Sequence, residues 1–441
     1  MVKFLPPLQL TSAMQLLCLS NGHGEDLIAL RILQALQRRS KQLQLAALPI
    51  VGQGEFYRAH GIPIVGAVQS MPSGGFIYMD GRQLARDLQG GLIQLTLAQL
   101  KTVRQWAQQG GVVLAVGDIV PLLFAWWSGA AYGFVGTAKS EYYLRDEQGW
   151  LPRQSWFERL ERWSGSVFLP WERWLMAHPR CKAVFPRDRL TRSVLQKWGI
   201  PAFDLGNPMM DGLEPTGMKW AMAADGPDDP DGLEQCRLTF VLLPGSRPPE
   251  AYENWQILLQ AVSALVMAWG NQRPLLFLAA VAPQLDPVPL QRTLEAYGWR
   301  LSSSVDNPSD RSGSQLVFSQ YRTSLILTSA FNDCLHQADF ALAMAGTATE
   351  QFVGLGKPAI IFPGKGPQFT PKFAEAQTRL LGPSVTLVEQ PSRVVSVVQS
   401  LLQDPDRLQL IQANGARRMG VSGAADRIAA CLVQQLKMKQ G

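Results

Sequence analysis

Leu242-Leu-Pro-Gly-Ser-Arg-Pro-Pro-Glu250 and Met344-Ala-Gly-Thr-Ala-Thr-Glu-Gln351 are two glycine-bearing stretches whose setting decides how the chain folds. Each follows an apolar run, Leu238 to Leu243 and Phe340 to Met344. A short continuous apolar run closed by turn residues reads as a parallel strand buried on both faces. Ligands of open α/β sheets bind just outside the carboxyl ends of such strands. The first end offers the backbone amides of Gly245 and Ser246 and the guanidinium of Arg247. The second opens a helix, and the free N–H groups from Thr347 to Glu350 suit an anion or a sugar hydroxyl. Two such ends lining one crevice suit a nucleotide diphosphate.

Outward from these ends, apolar runs alternate with helix-length stretches along the whole chain, as expected of parallel sheets covered on both faces. In the first half the strands are expected at Gln15 to Leu19, Leu43 to Val51, Pro63 to Val68, Val112 to Val116, Tyr132 to Val135, Ala183 to Phe185 and Phe203 to Leu205, with helices at Glu25 to Arg39 and Leu84 to Gln108. The Pro-, Gly- and Asp-rich stretch from Gly206 to Gly232 reads as an exposed connection. A second series follows at Leu238 to Leu243, Pro274 to Val281, Leu325 to Leu327, Phe340 to Met344, Ala359 to Phe362 and Val385 to Leu387. The expected fold class is α/β: two Rossmann-like doubly wound domains, residues 1–207 and 237–410, joined by a linker at 208–236 and facing a central cleft. Residues 411–441 are expected to end in a helix that crosses back to the first domain.

Composition bounds the class. With 441 residues, 46% hydrophobic content and a mean hydropathy of −0.01, the chain can bury large cores and exceeds one ordinary domain. Cys18, Cys181, Cys236, Cys334 and Cys431 form no C-x-x-C pair, which argues against a disulfide framework and for a reducing cytoplasm. Residues 1–13 hold two prolines and make a poor signal peptide. Val112 to Val135 approaches the length of a membrane span but contains Asp118, Pro121 and three glycines, so it reads as strand, helix and strand of a soluble core.

Charge is uneven. Between Trp150 and Ile200 there are ten Lys or Arg against four acidic residues, and the same window holds six of the thirteen tryptophans. Tryptophan interleaved with cations suits an anionic membrane surface. Core Trp beneath a solvated Arg face is the alternative. No nucleic-acid-binding signature accompanies the patch, and no nucleic-acid partner is expected.

The first strand end carries Ser20-Asn-Gly-His-Gly-Glu-Asp26 and leads directly into a helix. Its glycines permit a tight turn that brings His23, Glu25 and Asp26 to the sheet edge, where one of them can act as a general base. The alternative is that the two carboxylates only serve the helix N-terminus. Asp118 ends another apolar strand and is either an N-cap or a catalytic carboxylate. Beyond the last donor-side strand, Lys365 can pair with a phosphate, and Gln368 or Gln377 can bond a sugar. The four histidines have no metal-ligand spacing, so no metal is expected.

Leu-Pro-Gly-Ser-Arg-x-x-Glu at Leu243 to Glu250, Gly206-Asn-Pro-Met-Met-Asp211 and Gly346-Thr-Ala-Thr349 resemble lipid-A-disaccharide synthase. Over nearly its full length, with the His-Gly-Glu-Asp turn, the chain is most similar to the lipid-A-disaccharide synthase-related proteins. More distantly it resembles the GT-B enzymes that glycosylate undecaprenyl-linked muramyl peptide or diacylglycerol. The resemblance implies a metal-independent, inverting GT-B glycosyltransferase. Its C-terminal domain would bind a UDP-sugar as co-substrate, with no other cofactor. Its N-terminal domain would bind an acceptor, often lipidic, at the inner face of a membrane. Gly245, Ser246 and Arg247 would contact the nucleotide and its phosphates; Gly346, Thr347, Ala348 and Thr349 would hold the diphosphate. Asp118 loosely matches the synthase's candidate base. The chain departs from the synthase at Glu350 and Gln351, because the Glu credited there with the ribose hydroxyls falls at Gln351 here. Asp229-Pro-Asp231 fits the acidic motif of metal-dependent GT-A enzymes but lies in the linker. The same fold also serves nucleotide-sugar epimerases and would serve an inactive nucleotide-binding regulator.

Overall fold

Five of the seven apolar runs expected as strands in the first half become strands of one parallel sheet. The computed structural model describes residues 15–40, 42–69, 91–152, 156–218, 220, 237–305 and 315–436. The chain divides into a first unit of 1–208 with 423–441 and a second of 209–422. In the first unit β1 (Gln15–Ser20), β2 (Gln44–Pro49), β3 (Val112–Gly117), β4 (Tyr132–Gly136) and β5 (Cys181–Phe185) lie in the order β2-β1-β3-β4-β5, all parallel. Helices α1 (His23–Arg39), α2 (Glu55–Ala59), α3 (Leu92–Gln108), α4 (Ile119–Ser128), α5 (Trp156–Ser164), α6 (Pro170–Ala177) and α7 (Arg189–Gln196) complete it up to residue 208.

Successive residues of a strand point to opposite faces. Leu17, Leu19, Val113 and Ala115 therefore meet α3, α4 and α6 in one core. Leu16, Cys18, Leu114 and Val116 meet α1 in the other. Burial on both sides is why these strands read as unbroken apolar runs rather than alternating ones. The apolar stretch from Val112 to Val135 is β3, α4 and β4, the strand, helix and strand read from its sequence. Among the described residues no helix is long and apolar enough to cross a membrane.

The second unit is an eight-stranded sheet in the order β13-β12-β11-β6-β7-β10-β9-β8. Its strands are β6 (Leu238–Leu243), β7 (Leu275–Ala280), β8 (Arg300–Val305), β9 (Gln315–Gln320), β10 (Thr323–Thr328), β11 (Phe340–Ala343), β12 (Ala359–Ile361) and β13 (Val385–Leu387). Its helices are α8 (Glu250–Trp269), α9 (Pro287–Ala296), α10 (Phe331–Gln337), α11 (Thr347–Gly354), α12 (Pro371–Leu381), α13 (Val394–Leu402) and α14 (Pro405–Met419). Phe240 stacks on Phe277 of β7 at 5.3 Å and on Phe340 of β11 at 5.6 Å, locking three neighbouring strands at the same level. The chain ends in α15 (Ala424–Gln435), which belongs to the first unit and packs Ile428, Ala429 and Leu432 into the core with α1. A Cβ on Gly133 would sit 2.9 Å from Leu432, so only glycine lets α15 approach β4 this closely.

Five readings change. Pro63 to Val68 contributes a single bridge, Ile64 with Ala47, and no strand. Phe203 to Leu205 likewise gives only the adjoining bridge of Ala202 with Val184. Both runs lie beyond a sheet edge and pair along one residue. The helix expected from Leu84 begins at Leu92, with 84–90 outside the described residues. The antiparallel β8–β9 extension was not expected: Arg300-Leu-Ser-Ser-Ser-Val305 has no apolar run because an edge strand needs none, and Leu301 is half exposed. The connection after Gly206 is not exposed throughout. Asp333 of α10 accepts from the amides of Thr216, Gly217 and Met218 and from the Thr216 hydroxyl, and Leu213 is buried. Asp229 and Asp231 lie outside the described residues.

Candidate functional site

In the second unit the chain runs from β6 outward to β7 and β10, then returns to lay β11 on the other side of β6. That reversal makes the carboxyl ends of β6 and β11 the switch point where an open α/β sheet binds ligands. Leu243 pairs with Ala343, and the Met344 amide donates to the Leu243 carbonyl at 2.8 Å. The Gly245 and Gly346 turns are therefore neighbours. Gly245 has φ +98°, and a Cβ there would stand 3.4 Å from the Met344 carbonyl.

Asn254, one turn into α8 and 2% exposed, fastens the two turns. Its Nδ2 donates to the carbonyls of Pro244 (3.0 Å) and Met344 (3.3 Å). Leaving a buried acceptor unpaired costs about 1–3 kcal/mol, so this one amide holds the spacing of both. Glu250 clamps a third loop, after β12, by accepting from the amides of Phe369 (2.6 Å) and Gln368 (3.2 Å). Gly366 lies so close beneath Glu250 that a Cβ would meet its carboxyl carbon at 2.3 Å. Neither role is visible in sequence, because each joins segments about a hundred residues apart in fold contexts that only pairing reveals.

At the start of α11 the N-cap is Gly346, and no side chain caps it. The amides of the first turn are thus available to a ligand, and the helix dipole favours an anion there. Thr347 is exposed and Ala348 half-buried. The Thr349 hydroxyl donates to the Ala345 carbonyl at 2.6 Å, and Gln377 donates to the carbonyls of Ala345 and Gly346. Gln377 therefore shapes the turn, and its amide nitrogen is not the sugar-bonding group considered from sequence. Ser246, Arg247, Lys365 and Gln368 are exposed at the same edge. Glu350 and Gln351 are buried, and the Gln351 amide donates to the Met209 carbonyl at 2.9 Å. The structure thus gathers most of the expected donor residues at one edge and turns Gln351 inward.

In the first unit the switch point lies between β1 and β3. Asn21 follows β1 and Asp118 follows β3; Asn21 Nδ2 donates to the Asp118 carboxylate at 3.3 and 3.4 Å. Asp118 caps α4, accepting from the Val120 amide at 2.9 Å. The structure thus shows Asp118 as the N-cap of α4, with its second oxygen 3.4 Å from Asn21 Nδ2. Burial raises its pKa above the ordinary carboxylate value, against the Val120 bond and with a smaller push from the Glu172 charge. Glu25 accepts from the Thr137 hydroxyl at 3.4 Å, and its Cγ would be 3.3 Å from a Cβ on Gly117. His23 is the first residue of α1; its side chain is outside the described set.

Asp26 is 3% exposed and faces inward, where the Ser20 hydroxyl donates to it at 2.6 Å and also bonds the Tyr57 hydroxyl at 2.6 Å. The N-cap of α1 is Gly22, which has no side chain to cap the helix. Burial pushes the Asp26 pKa up to about 7, opposed by the Ser20 bond. The folded state then holds this proton more tightly than the unfolded chain, so stability falls as pH rises from about 4 to about 7. Asp26→Asn is expected to remove that decline, gaining a few kcal/mol on wild type at pH 8, by order of magnitude, while differing little at pH 4. Urea unfolding of both proteins across this range measures it; parallel pH profiles contradict the placement of Asp26.

No protein-family model matches the sequence, and no curated protein matches it. Solved structures do. CalG4, the calicheamicin glycosyltransferase, matches with TM-score 0.58 at 14% identity, covering 96% of this chain and 99% of CalG4. UDP-GlcNAc 2-epimerase from Neisseria meningitidis, bound to UDP-GlcNAc, matches with TM-score 0.52 at 15% identity over 96% and 100%. MurG of Acinetobacter baumannii matches with TM-score 0.50 at 13% identity over 96% and 99%. The chain has the GT-B fold, with two α/β sheets that each bear a switch point among their parallel strands. Among the described residues no cluster of His, Cys, Asp and Glu is placed to hold a metal.

Proposed function

We propose that this protein is a nucleotide-sugar enzyme, a glycosyltransferase similar to lipid-A-disaccharide synthase that moves a sugar from a UDP donor to the hydroxyl of a lipidic acceptor. The observation that carries the reading is the meeting of the Gly245 turn, the uncapped start of α11 and the Glu250-clamped loop at one switch point. Fold likeness to CalG4, to MurG and to an epimerase bound to UDP-GlcNAc supports nucleotide-sugar use. In this reading the second unit holds the donor and the first activates the acceptor. Asp118 takes the hydroxyl proton, the freed oxygen attacks the sugar C1, and the bond from C1 to the diphosphate breaks with its electron pair leaving on phosphate. Arg247 and the amides of Thr347 and Ala348 stabilise that charge. The work is done in the cytoplasm at the inner face of a membrane.

The epimerase reading is favoured by the Neisseria meningitidis likeness and differs in needing no acceptor. The test is incubation of the protein with labelled UDP-GlcNAc, alone and with a bacterial lipid extract. Label passing into lipid supports transfer; an isomerised UDP-sugar formed without lipid overturns it in favour of epimerisation. UDP binding with neither product identifies a nucleotide-binding regulator. Arg247→Ala is expected to weaken UDP binding roughly 10- to 100-fold in calorimetry, the worth of a charge-assisted hydrogen bond to phosphate. Unchanged affinity removes Arg247 from the site.

A further inference from the structure

The opposite edge of the first sheet carries a groove that the reaction above does not use. It has a volume of about 470 Å³ and is lined by Arg104, Gln108, Trp126, Trp127, Gly129 and Arg180 among others, with no carboxylate among its lining residues. Arg104 and Gln108 close α3, Gly129 ends α4, and Arg180 immediately precedes β5, so the groove sits where β3, β4 and β5 begin. Asp118 stands at the other end of α4, which spans about 15 Å. Two groove-lining residues, Trp126 and Arg180, each have a buried donor, Nε1 and Nη1, with no hydrogen-bond partner among the described residues. Buried donors of this kind are normally satisfied. A guanidinium pair with no facing acid is suited to a phosphate.

The groove continues into an apolar outer surface. Helices α3, α4 and α6 share one core face of the sheet, with α4 packed against both neighbours. On their outward sides stand Ile93 and Leu97 of α3, Leu123 and Trp127 of α4, and Trp171 and Trp174 of α6, each between 45% and 62% exposed. Spacings of three or four residues put each pair on one side of its helix. Trp126 joins the helices, packing edge-on against Trp127 at 6.2 Å and against Trp174 at 5.4 Å. Six large apolar side chains on one face exceed the scattered exposure usual at a surface that meets only water. Tryptophan beside arginine is the composition of a surface that sits at the level of lipid headgroups. Among the described residues no helix can span a bilayer, so contact by this face would be interfacial.

We propose that the outward faces of α3, α4 and α6 dock on a membrane and that the groove at their end takes the phosphate headgroup of an anionic phospholipid. Arg104 and Arg180 pair with the phosphate, and Trp127, Trp171 and Trp174 enter the headgroup layer. The inference rests on the reading that the protein works at a membrane, but its test contains no nucleotide, so its failure is distinguishable from a failure of transfer. The intact protein is sedimented with phosphatidylcholine vesicles with and without phosphatidylglycerol, and tryptophan emission is followed. Binding is expected to the anionic vesicles with a blue shift, and far weaker binding to phosphatidylcholine alone. Arg104→Gln with Arg180→Gln is expected to weaken it roughly 25-fold, about five-fold for each arginine. Trp127→Ser, at an exposed position that does not carry the fold, is expected to reduce both binding and blue shift. Failure of the wild type to bind, equal binding to both vesicles, or indifference to all three substitutions overturns the proposal. So does binding of soluble glycerol phosphate as tightly as vesicles, which would make the groove a site for a free anion.

Discussion

Asp118→Asn is expected to lower the rate of transfer by about three orders of magnitude, within the range that general-base catalysis contributes. Asparagine caps a helix as well as aspartate does, so the bond from the Val120 amide and the start of α4 survive. The two side chains have the same shape, and the Asn21 contact needs only a reoriented amide. What is lost is the ability to take a proton. The fold should therefore match wild type by circular dichroism, with stability near neutral pH no lower, while turnover of labelled UDP-sugar into lipid collapses. The pH profile carries a second signature: because burial raises the Asp118 pKa, the acidic limb of kcat/KM should lie above the ordinary carboxylate range. Turnover within about two-fold of wild type would leave Asp118 a cap and nothing more.

Thr347→Glu is expected to separate stability from binding. Thr347 is exposed at the first position of α11, so a glutamate fits without displacing core. A carboxylate in the first helical turn stabilises the unliganded protein by about 0.3–1 kcal/mol through the dipole. The same carboxylate occupies the field meant for the diphosphate. A like charge a few ångströms from a doubly charged phosphate should weaken UDP by about 100-fold or more. The observable is a thermal melt: the free variant unfolds slightly higher than wild type, and added UDP no longer raises the midpoint. Thr347→Gln, of the same length and neutral, should bind UDP nearly as wild type does. A variant that melts higher and still binds UDP fully would place the diphosphate elsewhere.

Much of this was legible in the chain because buried parallel strands are written as apolar runs. Leu238 to Leu243 and Phe340 to Met344 announce themselves, and the glycines that follow mark the turns, Gly245 with a φ of +98° that favours glycine. What sequence could not show is that β11 returns to pair with β6, which makes the two turns one site. For the same reason the tasks of Asn254, Glu250 and Gln377 were hidden: each acts on a carbonyl or amide that only the pairing brings near. Polar edge strands left no trace either, and β8 was missed. Asp26 looked like its neighbour Glu25 on one turn, yet it is buried and bonded to Ser20, which also bonds Tyr57 from another segment. One position of helical phase separates a buried acid from one at the edge.

The most direct measurement is a crystal structure of the protein grown with UDP. The expected result is a diphosphate within hydrogen-bond distance of the Thr347 and Ala348 amides, with the Gly245–Ser246 turn and Arg247 against it. UDP seated elsewhere, or no UDP bound at saturating concentration, would contradict the claim that this pair of strand ends is a nucleotide-sugar site.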